Sequence, residues 1–354
     1  MNIADFDKNL KVETSIDRTD IVWFDAADFS PAKIYGALGG TKPYARMDLD
    51  VAGKISPNIR GLSRNCAGIR LRIKTNSPYI AIKTKWGWQN KLPQMTKCGS
   101  CGFDIYKFEN GEYMYLRTFM PPIDCEYGYE SIWDLSNKMT EYVINFPPYQ
   151  DVDTLYIGVK DGSEFEETST YFNEKPVVFY GSSITQGGCC SRPGNAYENY
   201  LSRMLDIDYL NLGLAGNCLA EPELCEYMSN LSMSCFVCDY DHNAPTVEHL
   251  QNTHFALYEA IRKNNPDIPY IMMSRPDYYI NRHEDNLKRA IIMESFRKAK
   301  ELGDNNVYFI DGASMFGTNE REACSADGCH PNDLGFYRMA KAIYPTLKYV
   351  LKIK

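Results

Sequence analysis

Two adjacent serines, Ser182 and Ser183, follow the apolar run VVFYG at Val177–Gly181, and His330 stands near the far end of the chain in the segment DGCHP. A serine hydroxyl is a weak nucleophile until a base takes its proton, so a strand-tip serine and a loop histidine together point to acyl transfer. Pro331 disfavours helix at His330 and keeps it in a loop. Asp327, three residues earlier, is close enough in a tight turn to accept the Nδ1 proton, fix the tautomer and stabilise the imidazolium. The segment NDLGFYRMAKAI that follows reads as an amphipathic C-terminal helix starting at Pro331 or Asn332. Of the other histidines, His249, His254 and His283 lie in polar, helix-like segments and are expected at the surface, while His242 directly follows a strand end.

Acyl transfer also needs donors aimed at the developing oxyanion. NLGLAGN ends one apolar run with Gly213 and Gly216, whose bare backbone N–H groups can approach a ligand closely. CDYDHNAP ends the next with Asn243, whose amide can donate. Either alone reads as an ordinary turn. Together with Ser183 and the Asp327/His330 loop, they fall at the carboxyl ends of successive strands, where open parallel sheets bind ligands. Arg192 and Asn195, in CCSRPGN beside the nucleophile, are candidates for substrate contact.

The elements that would position these groups change character along the chain. Up to about Thr170, short β-type runs such as GIRLRIKT, YIAIKTKWGW, EYMYLRTF and EYVINF are punctuated by turns such as ENGE and KDGSE. This pattern predicts an antiparallel β-sandwich. After Pro176, the apolar runs VVFYG, YLNLGL, CFVCDY, YIMMS and VYFIDG alternate with segments of helical spacing, which predicts βαβ units on a parallel sheet. The boundary in TYFNEKP divides the chain into residues 1–174 and 175–354.

The chain has 354 residues, a formal net charge of −8 and no block of clustered Lys and Arg, which argues against a nucleic acid or anionic membrane partner. The opening residues lack a basic stretch followed by an apolar one, and no segment is long and apolar enough to span a bilayer, so a cytoplasmic location is expected. The 12 cysteines then read as reduced thiols. Cys235 and Cys238 sit on a strand and point to opposite faces. Cys98 and Cys101 in CGSC read as a structural loop, with no second pair at zinc-site spacing. Cys189 and Cys190 get the same structural reading. An oligomer is left open.

GSSITQG, NLGLAGN, DYDHNAP and DGCHP occur in the order and spacing of the four sequence blocks of the SGNH hydrolases, also called GDSL-like esterases, and the sequence resembles that family over the whole second domain. CGFDIY in the first domain resembles the GxDLY signature of the β-sandwich that precedes one subgroup. The resemblance implies an α/β fold: a flavodoxin-like three-layer α/β/α domain with a parallel sheet, preceded by an antiparallel, jelly-roll-like β-sandwich. It implies Ser183, the third residue of its block, as nucleophile in preference to Ser182, with Asp327 and His330 completing the triad. The oxyanion donors would be the N–H groups of Ser183 and Gly216 and the amide of Asn243. It requires no metal and no organic cofactor. Ser182 stands where the family name has Asp, a departure that removes no member of the catalytic set. Such enzymes include esterases, lipases, thioesterases, carbohydrate deacetylases and acyltransferases. The absence of an amphipathic lid segment and the polar and aromatic residues near Ser183 favour short-chain, O-acetyl esters on an oligosaccharide. The alternatives are a broad small-ester or acyl-CoA thioesterase, a lipase-like acylhydrolase and a sugar O-acyltransferase.

Overall fold

A computed structural model of the chain describes residues 15–38, 40, 42–87, 91–276 and 283–353. The first part contains strands β1 (Ile21–Asp25), β2 (Lys33–Tyr35), β3 (Arg70–Thr75), β4 (Tyr79–Lys85), β5 (Phe103–Glu109), β6 (Glu112–Phe119), β7 (Gly128–Asp134), β8 (Thr140–Asn145), β9 (Thr154–Lys160) and β10 (Phe165–Glu166). They form two antiparallel sheets, in the orders β1-β9-β4-β7 and β10-β3-β8-β5-β6, with β2 added on β3. Inward residues such as Leu71, Ile80, Phe103, Ile144 and Ile157 fill the space between the sheets. The expected antiparallel sandwich is thus present.

Helices α1 (Leu49–Ile55) and α2 (Pro57–Ser63) intervene before β3, and α3 (Lys97–Cys101) precedes β5. The last corrects the reading of CGSC as a loop. The Thr96 hydroxyl accepts the Gly99 N–H at 3.0 Å and starts a helical turn, which brings Cys101 into the sandwich core.

The second part has a parallel sheet of β11 (Val177–Gly181), β12 (Tyr209–Gly213), β13 (Cys235–Asp239), β14 (Tyr270–Met273) and β15 (Val307–Ile310), in the order β12-β11-β13-β14-β15. Between these strands run α4 (Ser183–Gln186), α5 (Tyr197–Leu205), α6 (Pro222–Ser229), α7 (Val247–Asn264) and α8 (His283–Glu301), and α9 (Asp333–Val350) closes the chain. All residues of β11 to β14 are buried, as a sheet covered on both faces demands. Helices α6, α7 and α8 cover one face, and α5 and α9 the other. Cys238 belongs to the first core and Cys235 to the second, on opposite faces as expected. His254 corrects the surface assignment. It shares the buried stripe of α7 with Leu250, Leu257 and Ile261, and its ring stacks on Tyr240 at 5.9 Å. Among the described residues no helix is long and apolar enough to cross a membrane.

The two parts are fastened by buried charge. Arg46 is fully buried, and its Nη1 donates to the carbonyls of Asn211 at 2.9 Å and Gly213 at 2.8 Å, at the end of β12. Its Nε and Nη2 reach the carbonyls of Asn65 and Leu62, each at 2.7 Å. Arg70 pairs with Asp208 and stacks on the Tyr209 ring. Met47, Ala52 and Ile59 from the first part pack into the α6/α7 core of the second.

Candidate active site

β11 lies between β12 and β13, so consecutive connections leave it on opposite sides and open a crevice at its carboxyl end. The chain leaves β11 and turns at once into α4. Ser182 is the N-cap of that helix: its hydroxyl accepts the Ile184 N–H at 3.1 Å and is turned inward, with the residue 1% exposed. Ser183, the first residue of α4, is half-buried and holds its Oγ 2.8 Å from His330 Nε2. The fold therefore separates the two serines physically, one as cap and one facing the crevice.

His330 is presented by a tight loop between β15 and α9. Asp327 Oδ1 accepts the N–H groups of Cys329 at 2.9 Å and His330 at 2.7 Å, while Oδ2 lies 2.8 Å from His330 Nδ1. Ser325 ties the loop further, accepting the Gly328 N–H at 2.8 Å and donating to the His330 carbonyl at 2.9 Å. One carboxylate thus shapes the loop and orients the ring. Burial works against charge on His330, but the ring's contacts with Cys329 and Asp327 outweigh it and push the group up to about 9. Burial likewise opposes the Asp327 carboxylate, and the hydrogen bonds from His330 and Cys329 outweigh it, holding the group below its usual range. His242, 3.1 Å from Cys329 Sγ through its Nε2, is pushed down to about 3 by burial and by Arg275 and stays neutral.

Gly216 and Asn243 meet beyond the carboxyl ends of β12 and β13, with the Gly216 N–H donating to Asn243 Oδ1 at 3.0 Å. That bond leaves the Asn243 Nδ2 as the outward donor of the pair. Gly216 has φ +72°, a conformation glycine adopts at little cost. The Ser183 N–H, at the first turn of α4, has no carbonyl behind it within the helix.

Arg192 and Asn195 require correction, because the hydrogen bonds they donate go to partners inside the protein, although the buried Asn195 Oδ1 has none among the described residues. Arg192 Nη1 donates to Asp104 Oδ2 at 2.7 Å and to the Tyr106 hydroxyl, and its guanidinium lies 3.9 Å from the Tyr115 ring centroid. Asn195 is buried, with Nδ2 2.8 Å from Asp333 Oδ2. Both fasten the loop after the nucleophile, one to the sandwich and one to the start of α9. Asp104 and Tyr106 are residues of the CGFDIY segment, so that segment serves as the clamp.

Tyr149 carries no local sequence signal. Its hydroxyl donates to the Ser183 carbonyl at 3.2 Å, and the ring packs with Met95 and Cys189, beside Leu92 and Ala215. A Cβ on Gly188 would come within 2.9 Å of the His330 ring and 3.1 Å of the Tyr149 hydroxyl, so no larger residue fits between base and sandwich. The first part of the chain therefore forms one wall of the crevice. Beyond Leu92 and Met95 the surface opens into a groove of about 600 Å³, with Lys91, Lys97, Asp124 and Glu126 among its lining. The groove does not include the triad; it adjoins it across that wall.

Residues 174–348 match the GDSL-like Lipase/Acylhydrolase family, and residues 21–165 match the GxDLY family, described as the N-terminus of Esterase_SGNH_hydro-type. No curated protein sequence matches the chain. Among solved structures, a Bacteroides ovatus protein described as a GDSL-like lipase is 28% identical, with a TM-score of 0.86 over 94% of this chain and 99% of that one. A salicylyl-acyltransferase from a tetracycline biosynthetic pathway is 16% identical, with a TM-score of 0.78 over 95% and 100% of the two chains. An acetyl xylan esterase from the rumen bacterium Butyrivibrio proteoclasticus is 14% identical, with a TM-score of 0.58 over 94% and 99%.

Proposed function

Given that the chain belongs to the GDSL-like lipase/acylhydrolase family and is a carboxylic ester hydrolase, we propose that it removes O-acetyl groups from oligosaccharides through an acyl-enzyme on Ser183. The observation that carries this reading is the relay of two 2.8 Å contacts from Ser183 Oγ to His330 Nε2 and from His330 Nδ1 to Asp327 Oδ2. Ser183 Oγ attacks the ester carbonyl as His330 takes its proton, and Asp327 stabilises the imidazolium. Negative charge on the carbonyl oxygen is met by the N–H groups of Ser183 and Gly216 and by Asn243 Nδ2. In this step the Gly216 N–H exchanges Asn243 Oδ1 for the oxyanion. Collapse breaks the C–O bond as His330 returns its proton to the departing sugar oxygen, and water then attacks the acyl-enzyme with His330 again as base, freeing acetate and restoring the Ser183 hydroxyl.

The acyl side favours a small group. The apolar surface beside the triad is a short patch of Leu92, Met95 and Ala215, and a pocket gains only about 0.8 kcal/mol for each methylene it buries. The adjoining groove mixes charged, polar and apolar residues and suits the sugar chain. Acetate should be released from acetylated xylo- or manno-oligosaccharides, and kcat/KM on nitrophenyl esters should fall as the acyl chain lengthens. Highest activity on octanoate or an acyl-CoA, with no acetate from sugars, would replace this reading with a lipase or thioesterase. Acetyl transfer to an added sugar without acetate release would make it an acyltransferase.

The pH profile follows from His330. Only the neutral ring accepts the Ser183 proton, so kcat/KM should rise with pH through about 9, the value to which that group is pushed. Cys329→Ala removes one of the groups favouring the imidazolium and should move the rising limb to lower pH. A wild-type profile already flat above neutrality would show that the contacts with Cys329 and Asp327 do not raise the ring that far.

A further inference from the structure

Three donor groups of different chemistry meet at the base. Cys189, Asp327 and His330 each offer one ligand atom, and these atoms lie within 4.8 Å of one another. We propose that this cluster binds one soft divalent metal ion of the zinc or cadmium class, and that the bound ion inhibits the enzyme. The inference rests on His330 being the catalytic base.

Zinc bonds of about 2.0 Å to nitrogen or oxygen and about 2.3 Å to sulfur place tetrahedral ligands roughly 3 to 4 Å apart. The cluster needs only side-chain adjustment to reach that spacing. A thiolate and a carboxylate together neutralise the ion, with the imidazole as a neutral third ligand. The Cys189 thiol loses its proton to solvent as the sulfur–metal bond forms, so binding releases a proton. Sulfur and imidazole select zinc or cadmium over magnesium or calcium. The Cys189 Sγ makes a long contact to the Gln94 carbonyl, 3.5 Å, and packs beside Met95 and Tyr149, so a weak hydrogen bond is given up when the sulfur turns to a metal. Asp327 is exposed, which gives the ion an entry path from solvent. An ion on Nε2 takes the lone pair that receives the Ser183 proton. An ion on Nδ1 displaces the proton shared with Asp327. Either position removes the base. Cys329 and His242 form a second soft pair nearby, at 3.1 Å, outside the three-residue set.

Calorimetric titration of the full-length Ser183→Ala protein with zinc chloride reads binding without turnover, so it stands even if the esterase reading fails. One zinc per chain is expected, weakened at least tenfold by Cys189→Ser, since loss of even an outer partner of a metal site costs about 10- to 100-fold. With the Ser183 protein, zinc and cadmium should inhibit aryl acetate hydrolysis reversibly on chelation and magnesium should not. The Cys189→Ser protein, with its rate read relative to its own metal-free rate, should resist zinc by the same factor. Unchanged zinc affinity in Cys189→Ser, equal inhibition by magnesium, or loss of the site on Cys329→Ser alone would overturn the proposal.

Discussion

Ser183→Ala should lower kcat on an aryl acetate by roughly 10⁴- to 10⁶-fold, and His330→Ala should come close to the same loss. The two side chains meet at 2.8 Å and act as a unit, so the double variant should be little worse than either single one. Ser182→Ala provides the contrast. Its hydroxyl caps the Ile184 N–H and is turned away from the crevice. Removing an N-cap costs about 1 kcal/mol of stability and leaves the nucleophile in place. Steady-state rates with thermal unfolding on all three single variants separate the roles. An inactive Ser182→Ala beside an active Ser183→Ala would reverse the assignment.

The largest expected loss of stability lies at Asp104, in the clamp on the loop that follows the nucleophile. This carboxylate is fully buried and accepts from Arg192 Nη1 at 2.7 Å, the Gly194 N–H at 2.8 Å and Asn145 Nδ2 at 2.7 Å. Asp104→Ala leaves a guanidinium and two N–H donors without their acceptor. Removing one member of a buried ion pair costs about 3 to 5 kcal/mol. The lower end applies here, because the Arg192 side chain keeps 19% of its exposure. At about 2 to 4 °C per kcal/mol for a domain of this size, the melting temperature should fall by roughly 6 to 12 °C. Activity should fall as well, since Gly194 and Arg192 fix the loop that follows the nucleophile. A melting temperature within a degree of wild type would show that the clamp carries no stability.

The parallel sheet was legible because its strands are buried on both faces and so read as unbroken apolar runs between helical segments. The same regularity put the adjacent serines, Gly213, Gly216 and Asn243 at or beyond successive strand ends, and the resemblance to the SGNH hydrolases is what pointed to Ser183 and Gly216 among them. What stayed hidden depends on contacts between distant segments. Arg192 has the residue type of a substrate contact, and nothing local reveals a partner 88 positions away in Asp104. Tyr149 follows two prolines in a connecting loop, and only the docking of the sandwich brings it to Ser183. His254 was misplaced for a different reason: the polar residues around it masked the i, i+4, i+7 stripe that faces the sheet.

The buried arginines also set an order of assembly during synthesis. Translation delivers Arg46 165 residues before the Asn211 carbonyl that it serves, and Arg70 138 residues before Asp208. Until β12 emerges from the ribosome, both guanidiniums have only part of their final surroundings and must stay hydrated. The nascent sandwich therefore cannot complete its packing as a finished module. It waits with an open charged seam, and β12, the strand that leads to Gly216, is the one that seals it.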